Sequence, residues 1–405
     1  MSETQTSFAG LRPVELDAVE RELDHLWRDA NLQIASTAGH AIARNSVLTL
    51  VTVTTTEAEA QQLQGLIHSL SAQHPSRAIV VAADASKADE GITGYIGTYT
   101  GQGNSYGEDI VLSAGGASVS HLPGVVLPLI VSGLPSFLWW TSEPPWGSEL
   151  LEAMVDGCDR FIIDTSEMSN VAHSIRSLDD LMRRKSARCA ISDISWTAQA
   201  PWRDIVAQFF DSVVVRPFIY NVERLTIEYA AGDEYMPSNS SQAYLFAGWL
   251  ASRLGWHIRL AQPTPGDGSM QHTLHDASGR IVALEVNARY GIPQQGGLIQ
   301  FEKEERDEGV FVRPGALMSI YIAARIDGQL GTFAVARERD LEHATTACQV
   351  PQASMPSQTI HLASVGETDP LAQQLGNLGH DSVYEEALAA TALMMGASSS
   401  RRGIS

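Results

Sequence analysis

From Ile110 to Ser142 the chain runs 33 residues without one Asp, Glu, Lys or Arg, although 18% of its residues are charged overall. The run contains HLPGVVLPLIVSGLPSFLWW (His121 to Trp140), and TSEPPW follows, so three of the eight tryptophans lie between 139 and 146. Such a stretch crosses a membrane, fills a core, or meets another protein. A spanning helix needs about 20 apolar residues with its backbone hydrogen bonds intact. Pro123, Pro128 and Pro135, with Gly124 and Gly133, interrupt this one every few residues. No basic cluster flanks it to set an orientation. The membrane reading therefore fails, which leaves core or interface.

The rest of the chain supplies the context. At 405 residues it is long enough for two domains, each with its own core. A formal net charge of -20 with no Lys/Arg-rich block argues against nucleic acid or an anionic membrane as partner. The N-terminus lacks a basic region followed by an apolar core, and the three cysteines imply no disulfide scaffold. A cytoplasmic protein is expected.

Apolar runs alternate with helical periodicity through the first part of the chain. Leu16, Val19, Leu23, Leu26 and Trp27 form one helical stripe. VLTLVTVT (47–54), AIVVAA (78–83), DIVLSA (109–114), SFLWW (136–140) and RFIID (160–164) read as strands. Strands apolar on both faces and joined by helices imply parallel pairing. The expected fold class is an α/β N-terminal domain with a mostly parallel sheet over 1–168, followed by an α+β C-terminal domain over 169–350. VVVRPFIY (213–220) and RLTIEYA (224–230) read as sheet strands of the second, with hairpin turns near Asp276–Gly279 and Asp327-Gly328. The Pro/Ser/Thr-rich residues from 351 read as a loose connection to a helix near 370–395, packed on the second domain. Residues 396–405 read as a disordered tail.

The search for chemistry returns little. TGQGNSYG (100–107) and SAGGAS (113–118) lack the G-x-G-x-x-G spacing and any Lys-Ser/Thr pair, so they read as turns, with phosphate binding after Ser118 as the weaker alternative. His272 and His275 lie three apart, on opposite faces of a strand, and read as an exposed polar pair rather than metal ligands. Glu304-Glu305 sit in a solvated charge run, FEKEERDE. No protease-like or lipase-like nucleophile motif occurs. No catalytic, cofactor or metal residue is assigned.

Cys189 follows a basic stretch, RRKSAR, which would lower a thiol pKa, so it leads the redox candidates, with Cys348 and Cys158 behind it. The competing reading is three reduced thiols with Cys158 buried; a Cys189–Cys348 bridge stays open. For contact with a partner the candidates are Trp139, Trp140, Pro144, Pro145 and Trp146, because Trp and Pro offer large areas at low entropic cost. Alternation along the strand sends Trp139 and Trp140 to opposite faces, so core is the competing reading for that pair.

Five blocks, HLPGVVLPLIVSGLPSFLWWTSEPP, LLEAMVDGCDRFIIDTSE, DISWTAQAPWRDIVAQFFD, YLFAGWLASRLGW and DSVYEEAL, resemble in content and order the OpcA family, the glucose-6-phosphate dehydrogenase assembly proteins of cyanobacteria and actinobacteria. Ala200 stands where the pattern favours a more polar residue. The resemblance implies a non-catalytic protein that binds glucose-6-phosphate dehydrogenase, promotes its active oligomer and activates it in the oxidative pentose phosphate pathway. It also implies a link to thioredoxin-dependent redox control. It carries over no catalytic residue and assigns none of the three cysteines. The alternative is an enzyme acting on a sugar phosphate or nucleotide through the loops of the α/β domain.

Overall fold

A computed structural model describes residue 8 and residues 10–38, 46–71, 73–88, 91–100, 106–232, 238–258, 264–265, 269–289, 293–294, 297–298, 313–338, 340–351, 353–362 and 368–396. The charge run 301–308, Gly101 and Gly103, and the tail from 397 lie outside the described residues. The chain divides into two compact units, and not by a single cut. One unit takes 1–164, 182–194 and 366–380; the other takes 165–181, 195–365 and 381–405.

The first unit holds β1 (Arg12–Val14), α1 (Val19–Ala38), β2 (Leu48–Thr54), α2 (Glu57–Leu70), β3 (Ser76–Asp84), β4 (Gly91–Thr100), β5 (Tyr106–Gly115), α3 (Leu122–Val126), β6 (Ser136–Trp140), α4 (Glu149–Asp156) and β7 (Arg160–Ile163). After α5 (Val171–Lys185), whose residues are shared between the units, β8 (Ala190–Asp193) completes the sheet. The strand order is β1-β4-β5-β3-β2-β6-β7-β8, and the six strands from β5 to β8 along this order are parallel.

In chain order these six read third, second, first, fourth, fifth, sixth, the arrangement of dinucleotide-binding sheets. β8 extends the sheet past the expected end near 168. Sequence reading also missed β4, a glycine-rich GITGYIGTYT that pairs antiparallel outside β5. The uncharged run becomes β5, a winding 3-10 and α segment over Gly116–Leu129 shaped by its prolines, and then β6. One side of the core gathers Leu50, Ile67, Val80, Val111, Phe137 and Trp139.

The second unit continues with α6 (Ile194–Ala198), α7 (Ala200–Gln208), β9 (Val222–Ala230), α8 (Ser241–Leu254), β10 (His257–Ile258), β11 (Thr264–Pro265), β12 (Ser269–His275), β13 (Ile281–Arg289), β14 (Pro293–Gln294), β15 (Gly297–Leu298), β16 (Leu317–Ile326), β17 (Gln329–Arg337), β18 (His343–Val350) and β19 (Ala353–His361). Then come α9 (Thr368–Gly376), assigned to the first unit, and α10 (Ser382–Met395). Its main sheet runs β10-β12-β13-β9-β16-β17-β18-β19 with β11 beside β12, and only β9–β13 is parallel.

The β16–β17 turn needs positive φ at both central residues, and Asp327 (φ 49) and Gly328 (φ 79) provide it. α8 and α10 pack so closely that a Cβ on Gly248 would lie 2.2 Å from Thr391 Oγ1 and 2.4 Å from Ala387 O.

Two expectations for this unit are corrected. VVVRPFIY is not a strand: Pro217 opens a 3-10 turn over Arg216–Asn221, and Arg216 donates back to Phe210 O at 3.3 Å and Asp211 O at 2.8 Å, closing the loop on itself. Phe209, Phe210 and Phe218 bury against Phe333 while Val213 stays 78% exposed. The loose connection expected from 351 is instead strand β19 over Ala353–His361, paired with β18. Ser357 and Thr359 there alternate along an edge strand rather than marking a linker.

Candidate functional site

Sheets of this order bind ligands outside the carboxyl ends of their strands, where the order reverses; here that is between β2 and β6. In this chain the two strands stay paired to their carboxyl ends. Thr141, one residue past β6, donates from both its backbone N–H and its hydroxyl to Val53 O at 3.1 Å. A dinucleotide's pyrophosphate would need free N–H groups at the start of α2. Thr56 is the N-cap, and its hydroxyl accepts from Glu59 N at 3.2 Å.

The Glu59 carboxylate folds back over this helix start. Its Oε2 accepts from the Thr54 hydroxyl, the Thr55 hydroxyl at 3.0 Å, Thr55 N at 3.2 Å and Thr56 N at 3.3 Å. The Thr54 hydrogen bond foremost, with the Thr55 and Thr56 donors, outweighs partial burial and holds this carboxyl below its ordinary value. Glu57 adds a second acid, held by Ser113 at 2.6 Å and Lys87 at 3.4 Å. The position that receives a phosphate in a nucleotide fold is thus occupied by the chain's own anion. Sequence reading passed over it, although Thr56-Glu57-Ala58-Glu59 directly after an apolar strand is a capping-box pattern.

The other glycine-rich candidate fares no better. Gly116 (φ 57) turns the chain out of β5 into a 3-10 helix over Gly116–His121, and α3 behind it is five residues long.

At the amino ends of the same strands lies a cavity of about 500 Å³ lined by Glu20, Ser46, Arg77, Glu108, Ile130 and Leu134 among others. Arg77 is 3% exposed and Glu108 0%. The guanidinium donates to Glu108 Oε2 at 2.7 Å, to Leu129 O at 2.8 Å and to both oxygens of Glu20, while Trp27 Nε1 donates to Glu108 Oε1 at 2.5 Å. Burial works against the Arg77 charge, and Glu20 and Glu108 more than offset it. Four of the five N–H donors of the guanidinium are answered from within the chain. The cluster joins α1 to β3 and β5.

The cysteines are all free and buried. Cys189, the residue before β8, is 0% exposed, and burial pushes its thiol up to about 12; burial also raises Cys158 and Cys348. The basic stretch before Cys189 turns elsewhere: Arg184 pairs with Glu152 at 2.6 Å and Lys185 with Asp156 at 2.8 Å.

Trp139 and Trp140 are 8% and 5% exposed. Pro144 is buried, Pro145 exposed and Trp146 half-buried, in a loop fixed by Trp146 Nε1 on Glu143 at 2.6 Å and Ser148 N on Pro145 O at 3.0 Å.

In the second unit SWTAQAPWRD (195–204) and DSVYEEAL (381–388) come together. Trp196 Nε1 donates to Asp381 Oδ2 at 2.9 Å, Asp381 Oδ1 caps α10 through Tyr384 N at 3.0 Å, and the Trp196 and Tyr384 rings lie 5.6 Å apart. Arg203 stacks 3.6 Å over the Trp196 ring and donates to Trp196 O at 2.7 Å. Burial lowers its guanidinium to about 10, which still leaves it charged at neutral pH.

His272 is not exposed as expected. It is 9% exposed on the face toward α8, with Nε2 at 2.9 Å from the Tyr244 hydroxyl, and burial lowers its pKa. Among the described residues no group of three or more His, Cys, Asp or Glu is placed to hold a metal ion. No described helix is long and apolar enough to cross a membrane.

Comparison with known proteins agrees with the five blocks. Residues 67–180 match the model of the glucose-6-phosphate dehydrogenase subunit N-terminal domain, and residues 189–388 match that of its C-terminal domain. The OxPP cycle protein OpcA of Nostoc punctiforme is 27% identical over 286 residues, covering 70% of this chain and 56% of that protein. Its counterpart in Synechocystis is 25% identical over 338 residues, covering 80% and 64%. The chain thus spans less than two thirds of those relatives' length.

Among solved structures, a 3-ketoreductase of Actinomadura kijaniata crystallised with NADP aligns over 86% of this chain and 96% of its own, at 9% identity and a TM-score of 0.44. That likeness is too distant to bear on activity. By its two domain matches, in order and over most of its length, the chain belongs to the OpcA family of glucose-6-phosphate dehydrogenase subunit proteins.

Proposed function

We propose that this chain is a non-catalytic partner of glucose-6-phosphate dehydrogenase that favours the enzyme's active oligomer and activates it allosterically, in the oxidative pentose phosphate pathway. The observation that carries the reading is Glu59 at the start of α2, an internal anion where a dinucleotide fold holds phosphate. It weighs against the alternative, an enzyme using the loops of this sheet, and family membership supplies the partner. Activation of this kind means tighter binding to the enzyme's active form than to its inactive one, since only that difference shifts the equilibrium.

The contact we assign is the loop after β6, with Pro145 exposed and Trp146 half-buried; Trp139 and Trp140, buried beneath, would support it rather than touch the partner. Cys158, Cys189 and Cys348 take no part in the reading, because each thiol is buried and disfavoured as thiolate.

The test mixes the chain with the dehydrogenase of the same organism and follows co-elution and the apparent KM for glucose 6-phosphate. Co-elution with a lowered KM is expected. No complex and unchanged kinetics would refute the reading, as would turnover of a sugar phosphate by the chain alone. Trp146→Ala is expected to weaken the complex about tenfold or more while leaving the chain folded. Unchanged binding would remove the loop from the proposal. Replacing all three cysteines by Ser should leave the kinetics and their response to reductant as they were.

A further inference from the structure

The two faces of the nine-stranded sheet in the second unit differ sharply. One face carries Leu225, Ile227, Leu284, Ile322 and Phe333, all 1% exposed or less. The other is open. Reading across six strands by backbone register, one rung is Thr273, Ala283, Arg224, Ala323, Thr332 and Gln349. The next rung is Gln271, Glu285, Thr226, Tyr321, Ala334 and Ala347.

Thr273, Arg224, Gln349 and Ala347 are exposed, and so are two large apolar side chains at the rim, Ile281 (61%) and Leu330 (44%). Toward the far end of this face Glu228 and Asn287 are 5% exposed, so the open part is the half beside Ile281 and Leu330.

Three properties of this surface restrict its occupant. Seven of the twelve side chains in the two rungs are Ala or Thr, with one aromatic, Tyr321, near the middle and the long polar ones, Gln271, Gln349, Arg224 and Glu285, toward the outer strands and β9; a second sheet can stack on it at about the usual 10 Å. Its charges balance: Arg224 and Glu285 lie in adjacent rungs, and Arg325 pairs with Glu223 at 3.2 Å. In a chain of net charge -20, a neutral face is one from which a second copy is not repelled. Its size also fits. Six strands at roughly 4.8 Å, with five or six residues each at roughly 3.3 Å, make about 500 Å² in projection. Two copies then cover about 1,000 Å² before side-chain relief is counted, the least that a biological interface needs.

We infer that this face is a self-association surface, occupied by the same face of a second copy of the chain about a twofold axis. Tyr321 and Ala334, paired across β16 and β17, sit near the centre of the contact, with Leu330 at its rim. The inference does not depend on what the chain regulates.

Sedimentation equilibrium of the full chain over a concentration series tests it. Wild type is expected at twice the chain mass. Ala334→Glu and, at the solvent-exposed rim, Leu330→Glu should each raise the dissociation constant tenfold or more, with circular dichroism unchanged. Wild type at single-chain mass throughout overturns the inference. So do folded A334E and L330E proteins that associate as wild type does. If both variants self-associate normally but lose the dehydrogenase, the occupant is that enzyme and the second-copy assignment is wrong.

Discussion

The two sheets solve the same burial problem in opposite ways. The parallel sheet has helices on its faces, and both ends of its strands are answered from within the chain: at the carboxyl ends Thr141 bonds to β2 and Glu59 folds over the start of α2, and at the amino ends Arg77 holds Glu20 and Glu108. The antiparallel sheet covers one face and leaves half of the other to solvent. The sheet with an enzyme's strand order is the closed one, and the sheet without it offers the surface. Topology and function are separable, and it is side chains at particular ends and faces that decide.

The closed ends are tested most severely by Arg77→Leu. Glu108, 0% exposed, would lose its guanidinium, and an uncompensated buried carboxylate costs about 3–5 kcal/mol. A clear drop in urea midpoint is expected; an unchanged midpoint would mean Glu108 does not carry its charge. The covered face of the second sheet is tested by Gly248→Val, which drives a side chain into Thr391 and Ala387 O and should cost about 1–3 kcal/mol or more.

A smaller, pH-dependent effect comes from His272. Burial lowers its pKa, so the unfolded chain takes up a proton first. Its contribution is fully present above about pH 6.5 and is lost as pH falls through the folded-state value. Thermal melts from about pH 7.5 to about 5.5 should decline less steeply in His272→Gln than in wild type. Thr56→Ala, which removes the α2 cap, should cost about 1 kcal/mol. The smallest effect expected is none: saturating NADP should not move the wild-type melting temperature, and a rise of several degrees would reopen the closed end.

Much of the first sheet was legible because β2, β3, β5, β6 and β7 are apolar on both faces and bounded by turns, a pattern few other elements share. β4 escaped because its glycines dilute the signal, and β8 because four residues are too short for one. Residues 213–220 misled in the other direction. Their β-branched run has strand propensity, yet Pro217 and the Arg216 hydrogen bonds impose a turn, and three nearby phenylalanines do the burying.

At the candidate sites, the aromatic run announced burial at Trp139 and Trp140 through its lack of charge. The basic stretch before Cys189 suggested a reactive thiol because sequence shows which charges are near along the chain, not which carboxylates across the fold will claim them. His272 looked exposed for a related reason, since only the fold brings Tyr244 to it.

The Glu59 clasp also bears on how much of this protein a cell can keep folded. A protein that must borrow its anion from a cofactor gains stability as that cofactor accumulates and loses it under depletion. Here the anion is encoded in the chain at a fixed stoichiometry of one, so this helix start needs no nucleotide to complete it. On the function proposed above, a partner of the dehydrogenase gains from that arrangement, because its own abundance then does not rise and fall with a nucleotide pool.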